Sequence, residues 1–383
     1  MHIFFVSTDK ISRYTRRMLA RAMAEWEPVE SVLVRWPLGV PDTFLEHVCE
    51  YACLHVLASA SHREDAERHI SPLCDCVTYL EADTHTYWTR DYGPQFVVYP
   101  NESRPVIMDH RFDGYITTNS DCGASPPPLR VTTRSQWSSV GDNATRQTVA
   151  ASMGRRAVGL PLVFPGGNWL TDGVGTFVFT TAILMENNMS REEFTRILSS
   201  HLRVTSIHFI PSTNVRGLQH VDTTAKFIDE NTILVKQVSQ DHPEHDCLEG
   251  IARYFEMLRD RPTPLQVRRV LCPSVRGAPW ERDAVAAYTN SLIVNDAILV
   301  PLYGIDSDVA ALQTYRRLAP KHTVIGILHN PLTPWWGEDA VHCRSIGLFG
   351  ERHKPMPSSR ASATEYTRHT PILDAPGTRD QCQ

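Results

Sequence analysis

The chain has 383 residues, 42% hydrophobic and 21% charged, which fits one large α/β domain or two ordinary ones in a soluble globular protein. Its formal net charge of −5 gives no support to a nucleic-acid partner, and mild acidity suits a cationic ligand. No apolar run approaches the ~18 residues that a bilayer span requires, so no membrane partner is expected.

The opening MHIFFVSTDKISRYTRR carries a short apolar patch with basic residues after it, the reverse of a secretory signal's order. With no signal read, the nine cysteines are expected to be mostly reduced, in a cytoplasmic setting. The first folded unit reads ESVLVRWP, TFLEHVCEYACLHVLA and CVTYL: strand, helix, strand, with HIFFV as its hairpin partner. A second runs GPQFVVYPNESRPVIMD, a helix near Thr145 to Met153, then VGLPLVF. Inside it, Thr117 to Val140 reads as a long loop, of the kind that tends to be functional or mobile. The third is WLTDGVGTFVFTT, REEFTRILSSHL, TSIHFIP; the fourth TAKFIDENTILVKQ, LEGIARYFEMLRD, QVRRVLC. The fifth is SLIVNDAILVPLYG, DVAALQTYRRLAP, HTVIGIL. From about Glu351 the chain loses periodicity and reads as a disordered tail after one folded domain spanning 1–350.

Hairpin, helix, strand therefore recurs about five times. Repeated units that cannot bury an apolar face singly are stabilised by neighbours, which favours a ring of ββαβ units, an α/β propeller of fivefold pseudosymmetry, over an open sheet of two domains. Polar clusters fall at one place in these units. YWTRDYGP precedes the second hairpin, FPGGNWLTDG the third, GLQHVDTT the fourth and YTNSLI the fifth, while DAVHCRSIGLF lies where the ring closes. Equivalent positions in a ring face one axis.

The set expected to converge is Asp91, Asn168, His220, Asp222, Asn290 and Cys343, with Trp88 and Trp169 as walls. Taken alone, Cys343 reads as a buried inert thiol and His220 as a satisfied core histidine. Their joint occurrence at matched positions reverses that reading. Asp222 lies two residues beyond His220, so on a strand both point to one face. Two carboxylates invite a cation, and a planar guanidinium matches them bidentately. A thiol is partly ionised near neutral pH and a bound cation favours its thiolate. His220 then serves as general acid and base. The chemistry these residues suit is nucleophilic attack on a guanidinium carbon.

WTRDYGP, GGNWLTDG, HVDTTAKF, YTNSLIVN and VHC, in that order, resemble the bacterial-type peptidylarginine deiminase and agmatine deiminase family, and AEWEPVESVLVRWP resembles its N-terminal segment. The likeness runs from Ala24 to Phe349. It implies the pentein-like propeller of the guanidino-group-modifying superfamily and hydrolysis of a guanidinium to a ureido group and ammonia, with no cofactor and no metal. It makes Cys343 the nucleophile, His220 the acid and base, and Asp91 and Asp222 the grip on the guanidinium nitrogens. Asn290 orders the site, Trp88 packs on the substrate's aliphatic stem and Asn168 lines the pocket.

The chain departs from the family in three places. Gly337-Glu338-Asp339-Ala340 lacks the glycine run of agmatine deiminases, no immunoglobulin-like extension follows, and DHRFDGYITTNSD offers only Arg111 where a peptide reader has an arginine pair. The expected activity is peptidylarginine deimination, with weak preference for a C-terminal arginine. Agmatine is the alternative, with Asp113 as an acid for its ammonium. An amidinotransferase on the same scaffold, an amide-cleaving cysteine hydrolase and a non-catalytic propeller binding module are the competing readings, and a homo-oligomer stays open. DHPEHDC, Asp241 to Cys247, reads as a solvated loop rather than a metal site.

Overall fold

A computed structural model of the chain describes residues 19–352 except 123–128, 136–138, 214–218, 262, 276–283 and 337. Its strands form five main sheets and one two-stranded hairpin. Three of the sheets repeat one plan. Leu170–Thr171, Thr176–Thr180 and Ser206–Ile210 make one, with an antiparallel pair, a helix and a parallel third strand. Ala225–Asp229, Thr232–Gln237 and Gln266–Leu271 make the next, and Leu292–Val294, Ala297–Leu302 and Thr323–Leu328 the third. Gln95–Val98, Val106–Arg111 and Ala157–Val163 follow the same plan, with Arg21–Ala22 added at the edge. The five sheets are the blades of an α/β propeller.

The connecting helices form because their apolar residues repeat at helical spacing. In His245–Glu256, Leu248, Ile251, Ala252 and Phe255 are buried along one stripe. Arg191–His201 starts at a capping box, in which Ser190 accepts from the Glu193 amide at 3.2 Å and Glu193 accepts from the Ser190 amide at 3.1 Å. Ala297–Leu302 is buried along nearly its whole length, as a strand covered on both faces must be.

The first blade departs from the expected plan. TFLEHVCEYACLHVLA divides into a helix, Asp42–Cys49, and a strand, Cys53–Ala58, because the helical stripe ends before CLHVLA. The hairpin partner of Val29–Arg35 is Ile346–Phe349, pairing Ile346 with Leu33 and Gly347 with Val32. HIFFV lies outside the described residues. The last strand thus closes the ring against the first. Asn295 ties the fifth blade to this one: at φ 52° in its hairpin turn, it accepts from the Val29 amide at 3.0 Å and donates to the Val29 carbonyl at 2.9 Å.

The expected long loop contains a second hairpin, Ile116–Thr118 with Val131–Arg134. The tail beyond residue 352 lies outside the described residues. No described helix is long and apolar enough to cross a membrane.

The expectation of mostly reduced cysteines is corrected. Cys49 is bonded to Cys74, Cys53 to Cys76 and Cys122 to Cys247. Strand register explains one pair: Leu54 sits opposite Val77 across a parallel ladder, so Cys53 and Cys76, one residue earlier, are neighbours. A count of cysteines carries no such register. Free thiols among the described residues are Cys272 and Cys343, both buried. The argument for a reducing compartment falls with the pairing.

Candidate active site

A short turn precedes the hairpin at equivalent points of the ring: Thr89–Tyr92, Gly166–Asn168, Val221–Thr223 and the segment carrying Thr289 and Asn290. Ala340 to Arg344 stands in the same relation to Ile346–Phe349. Side chains separated by up to 252 residues meet there.

Gly167 marks the meeting point. A Cβ on it would lie 2.7 Å from His220 Nδ1, 2.9 Å from Asp91 Oδ1 and 3.1 Å from Asp222 Oδ2, so these three side chains converge on one tight space at the Gly167 backbone that has no room for a methyl group. Cys343 Sγ is 3.7 Å from Asp222 Oδ2 and 3.1 Å from the Asn290 amide nitrogen. Asn290 Oδ1 in turn accepts from the backbone amides of Ala340, His342 and Cys343 at 3.2, 3.0 and 3.1 Å. Its side chain fixes the loop that carries the thiol as well as touching the sulfur.

Asp91 points into this space while Arg90 turns away. Asp91 Oδ1 accepts from the Gly167 amide at 3.0 Å and Oδ2 from the Tyr115 hydroxyl at 2.8 Å, and His220 Nδ1 stands 3.5 Å from Oδ1. Arg90 Nε donates to the His342 carbonyl at 3.3 Å. Burial, with Asp222 adding repulsion, raises the Asp91 carboxyl above its usual range against the pull of His220. Burial acts on Asp222 too, but the hydrogen bond and charge of His342 outweigh it and hold that carboxyl below its usual range. Burial and then the charges of Asp222, Asp339 and Asp91 push the Cys343 thiol well above its ordinary value. In the free site, burial and the neighbouring carboxylates thus favour the protonated thiol.

Trp88 is half-buried, edge-on to Tyr115 at 5.3 Å between ring centroids. Asn168 is buried beside Gly167, but its Oδ1 is engaged by the Thr180 amide and hydroxyl at 2.9 and 3.2 Å. Trp169 packs between Phe164 and Phe177 as part of the core. Arg111 is not brought to the site. Its side chain is 68% exposed, held by Asp113 at 2.7 Å, in an open cleft with Asp109 and Arg146. Position 111 falls on the outward alternation of its strand.

Sequence reasoning gave no role to Tyr115, Glu25, Lys226 or His342. Lys226 had a signal: a lysine on the apolar strand AKFID needs an acid when buried, and Glu25 accepts from it at 2.7 and 2.8 Å. Arg344, next to Cys343, is also fully buried. Its guanidinium donates to Asp339 at 2.9 and 2.6 Å and lies over the rings of Tyr87 and Trp335.

Five blades that gather a thiol, an imidazole and two carboxylates at their common axis define a hydrolase of the C–N bonds of linear amidines. The chain belongs to the Porphyromonas-type peptidyl-arginine deiminase family, whose model matches residues 21–347. It is 24% identical to the agmatine deiminase of Ectopseudomonas mendocina, over 84% of this chain and 93% of that protein. It is 26% identical to a putative agmatine deiminase of Streptomyces coelicolor, over 85% and 98%. A C. jejuni agmatine deiminase with substrate bound superimposes with a TM-score of 0.70 at 17% identity, covering 87% of this chain and 97% of that one. A putative arginine deiminase from Porphyromonas gingivalis gives 0.68 at 23%, covering 87% and 99%. These two likenesses speak for the fold.

Proposed function

We propose that the chain hydrolyses agmatine to its ureido product and ammonia through a covalent amidino-thioether on Cys343. The substrate guanidinium sits between Asp91 and Asp222, and its positive charge offsets the carboxylates that keep the thiol protonated. As the guanidinium binds, Cys343 gives its proton to His220 and the thiolate attacks the guanidinium carbon; the imidazolium passes that proton to the departing ammonia, and the imidazole then takes a proton from the water that cleaves the thioether and returns it to the sulfur. Atoms balance as amidine plus water giving urea-type product plus ammonia, with the thiol regenerated.

The observation that carries agmatine over peptidylarginine is Glu186, on the short helix Ala182–Asn187 that packs against the hairpin strand Ile116–Thr118. Among the described residues its buried Oε2 has no hydrogen-bond partner. Burial and then the charge of Asp91 push its carboxyl well above the usual range, with Arg134 opposing. A primary ammonium beside Glu186 restores its charge, whereas a peptide's terminal carboxylate adds a third like charge. A relative named agmatine deiminase and another named putative agmatine deiminase support the same reading. For peptidylarginine speaks Arg134, the cation that acts on Glu186 from the hairpin.

The test is kcat/KM for agmatine against an arginine-terminated dipeptide, with Glu186→Gln alongside. Agmatine is expected to lead by at least about tenfold, and the variant to lose about tenfold on agmatine alone. A dipeptide preference that Glu186→Gln leaves untouched would return the substrate to the peptidyl class.

A further inference from the structure

We propose that His342 is a positioning residue: an imidazolium, held from behind by Glu25 and Lys226, that fixes Asp222 and balances its charge beside the nucleophile. The consequence for turnover rests on the deiminase reading above; the proton state of His342 does not.

The inference starts from hydrogen-bond stoichiometry. His342 Nδ1 lies 2.7 Å from Asp222 Oδ2 and its Nε2 lies 2.9 Å from Glu25 Oε2. An ionised carboxylate only accepts, and a neutral imidazole has one donor, so both contacts are satisfied only when both ring nitrogens carry hydrogen. Glu25 is no candidate for the missing proton. It takes Lys226 Nζ on both oxygens and the Ile293 amide at 2.7 Å on Oε1, leaving its carboxyl well below the usual range despite burial. Asp222 is likewise held ionised. The proton belongs to His342.

This places an alternating row, Lys226, Glu25, His342, Asp222, behind the Cys343 sulfur. Arg90 joins it, facing the same small cavity of about 40 Å³ that Glu25, Lys226, Asp222 and His342 line. His342 is thus faced by Asp222, Glu25 and Arg90, with Lys226 beyond Glu25. Cys343 is faced by Asp222, Asp91 and Asp339, with Arg90, Arg344 and Tyr87 in electrostatic reach. Most of these groups are buried, so solvent screens them little. Asp222 also accepts from the Asn290 amide at 3.3 Å, so a turn of its carboxylate disturbs the group that steadies the sulfur. Removing the imidazolium exposes Cys343 to the full charge of Asp222 and leaves two carboxylates without their shared donor.

The test follows iodoacetamide labelling of Cys343 by mass as a function of pH, in the whole protein, for wild type, His342→Gln and Glu25→Gln. This readout needs no substrate, so it stands even if agmatine and arginine compounds are not turned over. In His342→Gln the labelling midpoint is expected to move up by about one pH unit, and kcat to fall about a hundredfold with KM changed much less. Glu25→Gln, which keeps an acceptor for the Ile293 amide, is expected to move the midpoint the same way by a smaller amount. An unmoved or lowered midpoint in His342→Gln overturns the proposal. Should that variant not fold, the same result in Glu25→Gln overturns it. A nitrogen-15 histidine spectrum gives the independent check: His342 with two protonated ring nitrogens at neutral pH supports the assignment, and a single-proton tautomer refutes it.

Discussion

Tyr115 donates its phenolic hydroxyl to Asp91 Oδ2 across 2.8 Å, with both groups shielded from solvent. The Gly167 amide takes the other oxygen, so the carboxylate is held in one plane before any substrate arrives. A hydrogen bond to a buried charge contributes about 1.5–3 kcal/mol. Tyr115→Phe is therefore expected to lower kcat/KM by roughly ten- to a hundredfold with little change in thermal midpoint. Asp91→Asn, which removes the charge itself, is expected to cost several kcal/mol by the same measure, while near-normal kinetics would make the Arg-Asp pair a mere strand cap.

Gly167 supports a second expectation. A methyl at Gly167 would lie closer than van der Waals contact to His220 and Asp91 and tight against Asp222, so Gly167→Ala must displace the side chains proposed to grip the guanidinium. Gly167 has no positive φ that would add backbone strain. The variant is expected to fold with a stability loss of about 1–3 kcal/mol from this crowding and to lose more than about a hundredfold in kcat/KM. Retained activity would move the substrate site away from this turn.

How far the sequence could be read follows from its periodicities. Four blades were legible because hairpin, helix and strand each leave a local signature, as in SLIVNDAILVPLYG followed by DVAALQTYRRLAP. The place of closure at DAVHCRSIGLF was legible too, but the pairing that makes it was not, since no local pattern tells Val29–Arg35 that its partner is Ile346–Phe349. The convergence of Asp91, His220, Asp222, Asn290 and Cys343 was legible from repeat position alone. Tyr115 and Glu25 were not, because each lies on an irregular segment between strands and meets Asp91 or His342 at a place that no repeat position marks. Arg111 misled for the converse reason: its residue type fitted a carboxylate reader, and strand alternation turned it outward.

Arg344 gives a prediction about stability. Its guanidinium holds Asp339, the Gly39 carbonyl at 2.7 Å and the Pro334 carbonyl at 2.8 Å, between the Tyr87 and Trp335 rings. Arg344→Ala leaves Asp339 and two carbonyls without donors beside the loop that bears Cys343. A cost of about 3–5 kcal/mol is expected in denaturant unfolding. Arg344→Lys should recover only part of it, because an ammonium lacks the planar fork. A loss under about 1 kcal/mol would mean that other contacts hold this loop.

The raised carboxyls predict the sign of a pH effect. Asp91 and Glu186 hold their protons more tightly in the folded protein than in the unfolded chain, chiefly through burial. Over the range where the unfolded groups have ionised and the folded ones have not, the native state binds more protons, and these two sites lower stability as pH rises. Asp222 acts in the opposite sense: its lowered value adds stability that is lost only as pH falls through it. A cationic substrate reverses the Asp91 and Glu186 penalty by favouring both carboxylates. Agmatine binding to Cys343→Ser, which removes the thiol proton from consideration, should therefore release protons in mildly acid solution and tighten as pH rises. The release should fade once both groups are ionised without ligand. Calorimetric titration in two buffers of different ionisation enthalpy measures it directly. Glu186→Gln should remove one part of the release and Asp91→Asn the other; proton uptake on binding, or none at any pH, would contradict the placement of the guanidinium and ammonium beside these two acids.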